Sequence, residues 1–96
     1  MELRFAGEVV YWRGPAPFLF VRIPAAASED IAAVAPLVTY GWGAIPVTAR
    51  IGATDFYTAL FPKDGGYLLP VKTAVQRAEG VGLGDVVEVE LSVGGG

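Results

Sequence analysis

The sequence contains no cysteine and no histidine among its 96 residues. Without cysteine the chain can form neither a disulfide nor a thiolate nucleophile, and this usage fits a reducing compartment. Without histidine it can build no Ser-His or Cys-His catalytic pair and no histidine-ligated zinc site. We therefore expect no catalytic residue, no metal and no cofactor.

Long hydrophobic runs are also missing, although 53% of the residues are apolar. No run approaches the roughly 18 residues that a membrane-spanning helix needs. The opening stretch, MELRFAGEVVYW, alternates apolar and charged residues, unlike a signal peptide or an anchor. We expect a folded cytoplasmic protein that does not contact the membrane. Its apolar surplus indicates either that little surface is wasted or that an apolar face is reserved for a partner.

Clustered positive charge is the third absence, since the net charge is −3 and the basic residues are scattered. Nucleic-acid affinity comes mainly from lysine and arginine clustered on phosphates, so this distribution disfavours a nucleic-acid partner. The seven basic residues are Arg4, Arg13, Arg22, Arg50, Lys63, Lys72 and Arg77.

Alternating apolar and polar residues predict most of the secondary structure as strands. In residues 2–12 the alternation places Leu3, Phe5, Val9 and Tyr11 on the inner face. Further strands are predicted over 18–24, 45–52, 54–62, 67–71 and 86–93, and KDGG (63–66) predicts a hairpin turn.

Two short helices are predicted between these strands. Ser28 is the expected N-cap of the first helix, and Pro36 is expected to end it. KTAVQRAE (72–79) forms the second, with Gly80 as its C-terminal stop.

A weak internal repeat relates the two helical segments. Each runs from a strand through a proline, Pro24 or Pro70, into a helix and then into an alternating strand. Two such units can close one barrel around one core. The expected fold is mainly β: one domain over 1–93, a small closed six-stranded barrel with two short capping helices, followed by a flexible glycine tail over 94–96.

The chain also resembles a known family. The resemblance is carried by GWGAIPVTARIGATDFYTALFP (41–62) and GGYLLPVKTAVQRAEGVGLGDVVEVEL (65–91), and more loosely by FAGEVV (5–10) and FVRIP (20–24). These stretches are similar to the uncharacterised bacterial domain-of-unknown-function family DUF1905. The resemblance implies a double-split β-barrel, the pseudobarrel also used by AbrB-like and MazE-like DNA-binding proteins. It implies no activity and no catalytic residues.

Aromatic side chains near glycine-rich loops form the first candidate site. Tyr40, Trp42, Tyr57 and Tyr67, with Trp12 nearby, offer flat contact area with polar tips, which suits a ligand pocket or an interface. In a small barrel the same residues can instead plug the open ends.

Lys72, Arg77 and Arg50 form the second candidate, an anion or phosphate site beside a helix start. The alternative is solvated surface charge paired with Glu79 or Asp55, which has no further role.

Carboxylates are the third candidate, because Glu88 and Glu90 lie two residues apart on one strand face. Acid-base catalysis needs carboxylates in different environments within a cleft. The alternation of an exposed strand, which places both glutamates on its solvent side, explains this pair more simply. Asp85 is expected to belong to a turn.

Three functions remain open from the sequence. The first is a non-catalytic module that binds a small molecule or a protein, as a monomer or weak homodimer. The second is an AbrB-like or MazE-like DNA-binding regulator. The third is an enzyme that uses carboxylates or Lys72, which would need a buried lysine.

Overall fold

Six strands and two helices make up the protein in a computed structural model that describes residues 1–13, 19–38 and 44–94. The order is β1 (Glu2–Tyr11), β2 (Leu19–Arg22), α1 (Ala25–Val38), β3 (Ile45–Ile51), β4 (Thr54–Lys63), β5 (Gly66–Pro70), α2 (Thr73–Glu79) and β6 (Val86–Val93). Glycine tail residues 95 and 96 lie outside the described residues.

The strands close into one antiparallel barrel in the order β1-β2-β5-β4-β3-β6, and β6 returns to pair with β1. This confirms the prediction of a mainly β, closed six-stranded barrel with two helices. Closure gives each of the six strands two neighbouring strands, so none of them stands at the edge of an open sheet.

The two longest strands each divide their length between two partners. β1 pairs with β6 over residues 2–8 and with β2 over residues 9–11. β4 pairs with β3 over residues 54–60 and with β5 over residues 61–63. Each long strand therefore links two parts of the barrel, which is how six strands close around so small a core.

The strand order also explains the weak repeat in the sequence. Exchanging β1 with β4, β2 with β5 and β3 with β6 reproduces the same circular order. The units β2-α1-β3 and β5-α2-β6 therefore occupy equivalent places, as the Pro24 and Pro70 segments predict. The helices differ in length, since α1 has 14 residues and α2 has 7.

The core follows the predicted alternation closely. Ile45, Val47, Ala49 and Ile51 on β3 are all at most 3% exposed. On β6, Val89 and Leu91 are buried and the two glutamates point outward. Other fully buried side chains of the core are Val9, Phe20, Val21, Ile31, Leu60, Leu69 and Val71.

Tyr11 departs from this alternation, because its side chain is 57% exposed rather than inward. It belongs to the last residue pair of the β1–β2 ladder, opposite Leu19. It lies two residues past the buried Val9, at the end of β1, so the prediction for Tyr11 was wrong.

Helix α1 begins earlier and ends later than predicted. Ser28 is not its N-cap, because the helix already begins at Ala25, where three consecutive alanines favour helix. Pro36 does not end it, because α1 continues to Val38. A proline's own fixed φ of about −65° is helical, and its cost falls on the hydrogen bond to the carbonyl four residues earlier.

The hairpin turn and helix α2 agree with the sequence. Asp64 and Gly65 have φ values of 51° and 80°, as a tight turn between β4 and β5 requires. Helix α2 ends at Gly80, the predicted stop. Within the described residues, neither helix is long and apolar enough to cross a bilayer.

Candidate functional site

A groove of about 390 Å³ lies between helix α1, the β4–β5 turn and the ends of β1 and β2. We call it the α1 groove. Its volume falls within the roughly 300–1,000 Å³ typical of small-molecule sites. It is lined by Val10, Tyr11, Trp12, Arg22, Ile23, Ala25, Ser28, Glu29, Ala32, Lys63, Asp64, Gly65, Gly66, Tyr67 and Leu68.

One wall of the groove is a single face of helix α1. Ala25, Ser28, Glu29 and Ala32 line it with the spacing that brings residues onto one side of a helix. Ser28 is 5% exposed, and its Oγ donates to the Ile23 carbonyl at 3.3 Å. The two alanines have short side chains, so this wall leaves room for a bound molecule.

The opposite side of the groove carries aromatic rings held by their neighbours. Trp12 is half-buried, and its ring centroid lies 5.5 Å from that of the buried Phe20. The Lys63 ammonium lies 4.8 Å from the centre of the Trp12 ring, a cation–π distance. Tyr67 is half-buried and packs against the core, while its carbonyl accepts a hydrogen bond from the Ile23 N–H at 3.2 Å. The groove therefore presents two aromatic rings whose positions are restrained by the residues that they contact.

The groove also contains two groups of each charge. Lys63 and Asp64 are paired, with Nζ and Oδ2 4.0 Å apart, although 88% of the Asp64 side chain is exposed. Arg22 and Glu29 have no ion-pair partner within residues 1–13, 19–38 and 44–94. These two side chains are the charges that a ligand can satisfy without breaking an existing pair.

Among the predicted aromatic residues that the structure describes, Tyr67 and Trp12 line the α1 groove. Tyr57 is 63% exposed on the outer side of β4 and is not part of the groove. Tyr40 and Trp42 lie outside the described residues.

The predicted basic residues do not line the α1 groove either. Arg50 lies in a second, charged groove of about 690 Å³ between β3, β6 and the end of α2, which we call the β6 groove. Its NH1 is 3.8 Å from Asp55 Oδ1, and its Nε donates to the Gly52 carbonyl at 3.2 Å. Lys72 lies just before α2 and Arg77 lies on it. Both are exposed and line neither groove.

A ladder of alternating charges explains the surroundings of Arg50. Glu90 on β6 lies opposite Arg4 on β1 and opposite Arg50 on β3, and Arg50 lies opposite Asp55 on β4. Glu90 also forms an ion pair with Arg4. Opposite charges on adjacent strands stabilise a sheet modestly, so the ladder accounts for these residues without a ligand.

Asp85 and Glu79 are also explained by their contacts within the fold, because each accepts a hydrogen bond from a neighbouring segment. Asp85 Oδ2 accepts a hydrogen bond from the Gly82 N–H at 2.8 Å, as expected for a turn residue. Glu79 Oε2 accepts one from Thr54 Oγ1 at 2.6 Å and so ties the end of α2 to the β3–β4 turn. No group of three or more acidic side chains in the described part of the chain is placed to hold a metal ion.

Sequence reasoning missed the groove-lining residues Arg22, Ser28, Glu29 and Lys63. They come from β2, α1 and the end of β4, which are distant along the chain. The one available signal was the helical spacing of Ala25, Ser28, Glu29 and Ala32. Because the predicted helix began after Ser28, Ala25 and Ser28 were not counted as parts of one helical face.

Together these features define a small antiparallel β-barrel protein whose described residues form two helices and at least two grooves of ligand size, of which the α1 groove carries the aromatic rings. The family model described as "Domain of unknown function (DUF1905)" matches residues 5–91. The chain therefore belongs to this family, and the resemblance seen in its sequence is confirmed. No curated protein matches the chain.

Proposed function

We propose that this protein is a non-catalytic binding module and that the α1 groove is its ligand site. The observation that carries the proposal is a groove of about 390 Å³ that combines half-buried aromatic rings with both signs of charge. Binding sites for small molecules have this composition: largely apolar walls and a few polar groups that orient the ligand.

The chemistry of the groove supports binding rather than catalysis. Ser28 is the one buried hydroxyl among the residues that line the groove, and it already donates its hydrogen bond to the Ile23 carbonyl. The sequence supplies no histidine that could activate the serine. Lys72 is exposed, whereas a lysine nucleophile needs a desolvated amine.

The proposal extends to the protein's surroundings. One chain closes the barrel without a strand from a second copy, which supports a monomer or a weak homodimer. A sequence without cysteine supports a cytoplasmic location. A groove of this size supports a small molecule rather than a protein as the ligand.

Blocking the groove should abolish ligand binding without unfolding the barrel. Ala32 lines the α1 groove, so an Ala32→Phe side chain should occupy it. Ala33 is also exposed on α1 but does not line the groove, so Ala33→Phe is the matched control. We expect a chemically diverse fragment library, followed by ¹H–¹⁵N NMR, to shift amide signals at Trp12, Tyr67 and Ala32 in the native protein.

These shifts should disappear in Ala32→Phe and persist in Ala33→Phe. Hits that shift the β6 groove instead, or that bind both variants equally, would contradict the site. Finding no hit on the native protein would contradict the proposed function itself.

The alternative hypothesis, a DNA-binding regulator, predicts binding to a DNA duplex that weakens steeply as the salt concentration rises. Arg4, Arg50 and Lys63 each have a carboxylate partner, so few basic groups remain for phosphates. We expect no binding of a labelled mixed-sequence duplex by fluorescence anisotropy, at low or physiological salt. Binding that weakens steeply with salt, and that Lys72→Gln with Arg77→Gln reduces, would establish the regulator reading instead.

A further inference from the structure

We propose that the ligand of the α1 groove is a small zwitterion with a flat apolar body, of the α-amino-acid type with an aromatic side chain. Its carboxylate pairs with Arg22 and its ammonium pairs with Glu29. This inference rests on the proposed function, because it names the ligand class of the same groove.

The charges of the groove carry the argument. Of its four charged side chains, Lys63 and Asp64 contact each other, and Lys63 also lies over the Trp12 ring. Arg22 and Glu29 line the same groove, and neither has an ion-pair partner within the described residues. Both residues are exposed, so their charges are open to a ligand. A ligand with one charge can pair with only one of them, whereas a zwitterion can pair with both.

Arg22 is well placed to bind a carboxylate. It is the last residue of β2 and lies opposite Leu68 in the β2–β5 ladder. Its carbonyl is packed closely against Gly7 of β1, because a Cβ at Gly7 would lie 2.6 Å from that oxygen. The backbone is therefore held on both sides, and a guanidinium offers the planar, two-pronged geometry that a carboxylate accepts.

The walls of the groove favour a flat apolar body attached beside the two charges. Trp12 and Tyr67 present half-buried rings, and Phe20 and Lys63 hold the Trp12 ring in place. Aromatic pairs gain stability beyond their buried area when they stack with an offset or meet edge to face.

Four related probes separate the two charges of the ligand. Phenylalanine has both, 3-phenylpropionate lacks the ammonium, phenethylamine lacks the carboxylate, and N-acetylphenylalanine amide has neither. We expect phenylalanine to bind most tightly by NMR titration. Each single-charge probe should bind about fivefold to tenfold more weakly, where tenfold corresponds to about 1.4 kcal/mol.

Charge-removing variants assign each contact. Arg22→Gln should weaken phenylalanine about fivefold to tenfold and leave phenethylamine unchanged. Glu29→Gln should weaken phenylalanine similarly and leave 3-phenylpropionate unchanged. Arg77→Gln and Asp30→Asn are the controls, because each removes one positive or one negative charge at an exposed position outside the groove. Neither variant should alter the affinity for phenylalanine.

The outcomes distinguish this inference from the proposed function. If 3-phenylpropionate binds as tightly as phenylalanine and Glu29→Gln has no effect, the ligand is a simple anion and the zwitterion proposal is wrong. If none of the four probes binds while library fragments still occupy the groove, the inference fails and the binding module stands. If nothing occupies the groove, both fail.

Discussion

Replacing Leu60 by alanine is expected to lower the free energy of unfolding by about 2–5 kcal/mol, the cost of emptying a leucine-sized space in a packed core. Leu60 is 0% exposed and is the last residue of β4 that pairs with β3, opposite Ile45. Since a domain of this size has only about 5–15 kcal/mol of stability, the loss should be large. Urea unfolding followed by circular dichroism should show a lower midpoint with an unchanged slope.

Leu83→Ala provides the matched control, because Leu83 is 66% exposed. It should change the free energy of unfolding by less than about 0.5 kcal/mol. Equal effects of the two substitutions would show that Leu60 does not lie in the core of the folded protein.

Adding one methyl group to Gly7 is expected to destabilise the barrel by about 1–3 kcal/mol, the usual cost of overpacking. A Cβ at this buried position would lie 2.6 Å from the Arg22 carbonyl oxygen and 2.6 Å from Val21 Cγ1. Val21 is fully buried and β-branched, and the carbonyl belongs to the backbone of β2, so neither atom can move aside freely. The β1–β2 junction would therefore have to open, which the thermal unfolding of Gly7→Ala measures.

Gly66→Ala is the control for that substitution. Gly66 also lies in a strand and has no positive φ, and its added Cβ would be 3.4 Å from Ser28 Oγ, an ordinary contact. Its effect on stability should be within about 0.5 kcal/mol. A Gly7→Ala protein as stable as Gly66→Ala would mean that β1 and β2 do not approach each other this closely.

The same contact links stability to the candidate site. Gly7 packs against the carbonyl of Arg22, whose side chain lines the α1 groove. If Gly7→Ala displaces β2, ¹H–¹⁵N spectra should show the largest shifts at Arg22 and its groove neighbours.

Local patterns predicted the strands because burial on one side of a strand imposes a period of two on the sequence. This is clearest in β3, where Ile45, Val47, Ala49 and Ile51 are all buried as predicted. The turn at Asp64–Gly65 was predictable for a similarly local reason, since few residues tolerate positive φ. The start of α1 was predicted wrongly because the residue that has the chemistry of a cap follows residues that favour helix. Ser28 has the chemistry of an N-cap, but the alanines before it extend the helix.

The sequence by itself determined the order of strands and helices, the inward face of most strands, and the exclusion of cysteine and histidine chemistry. Each of these depends on neighbouring residues or on composition. Only the tertiary structure decided that β1 and β4 divide their pairing, and that Arg22, Glu29, Trp12 and Tyr67 line one groove. These residues come together because the barrel closes, and closure depends on pairing between distant segments that no local pattern records.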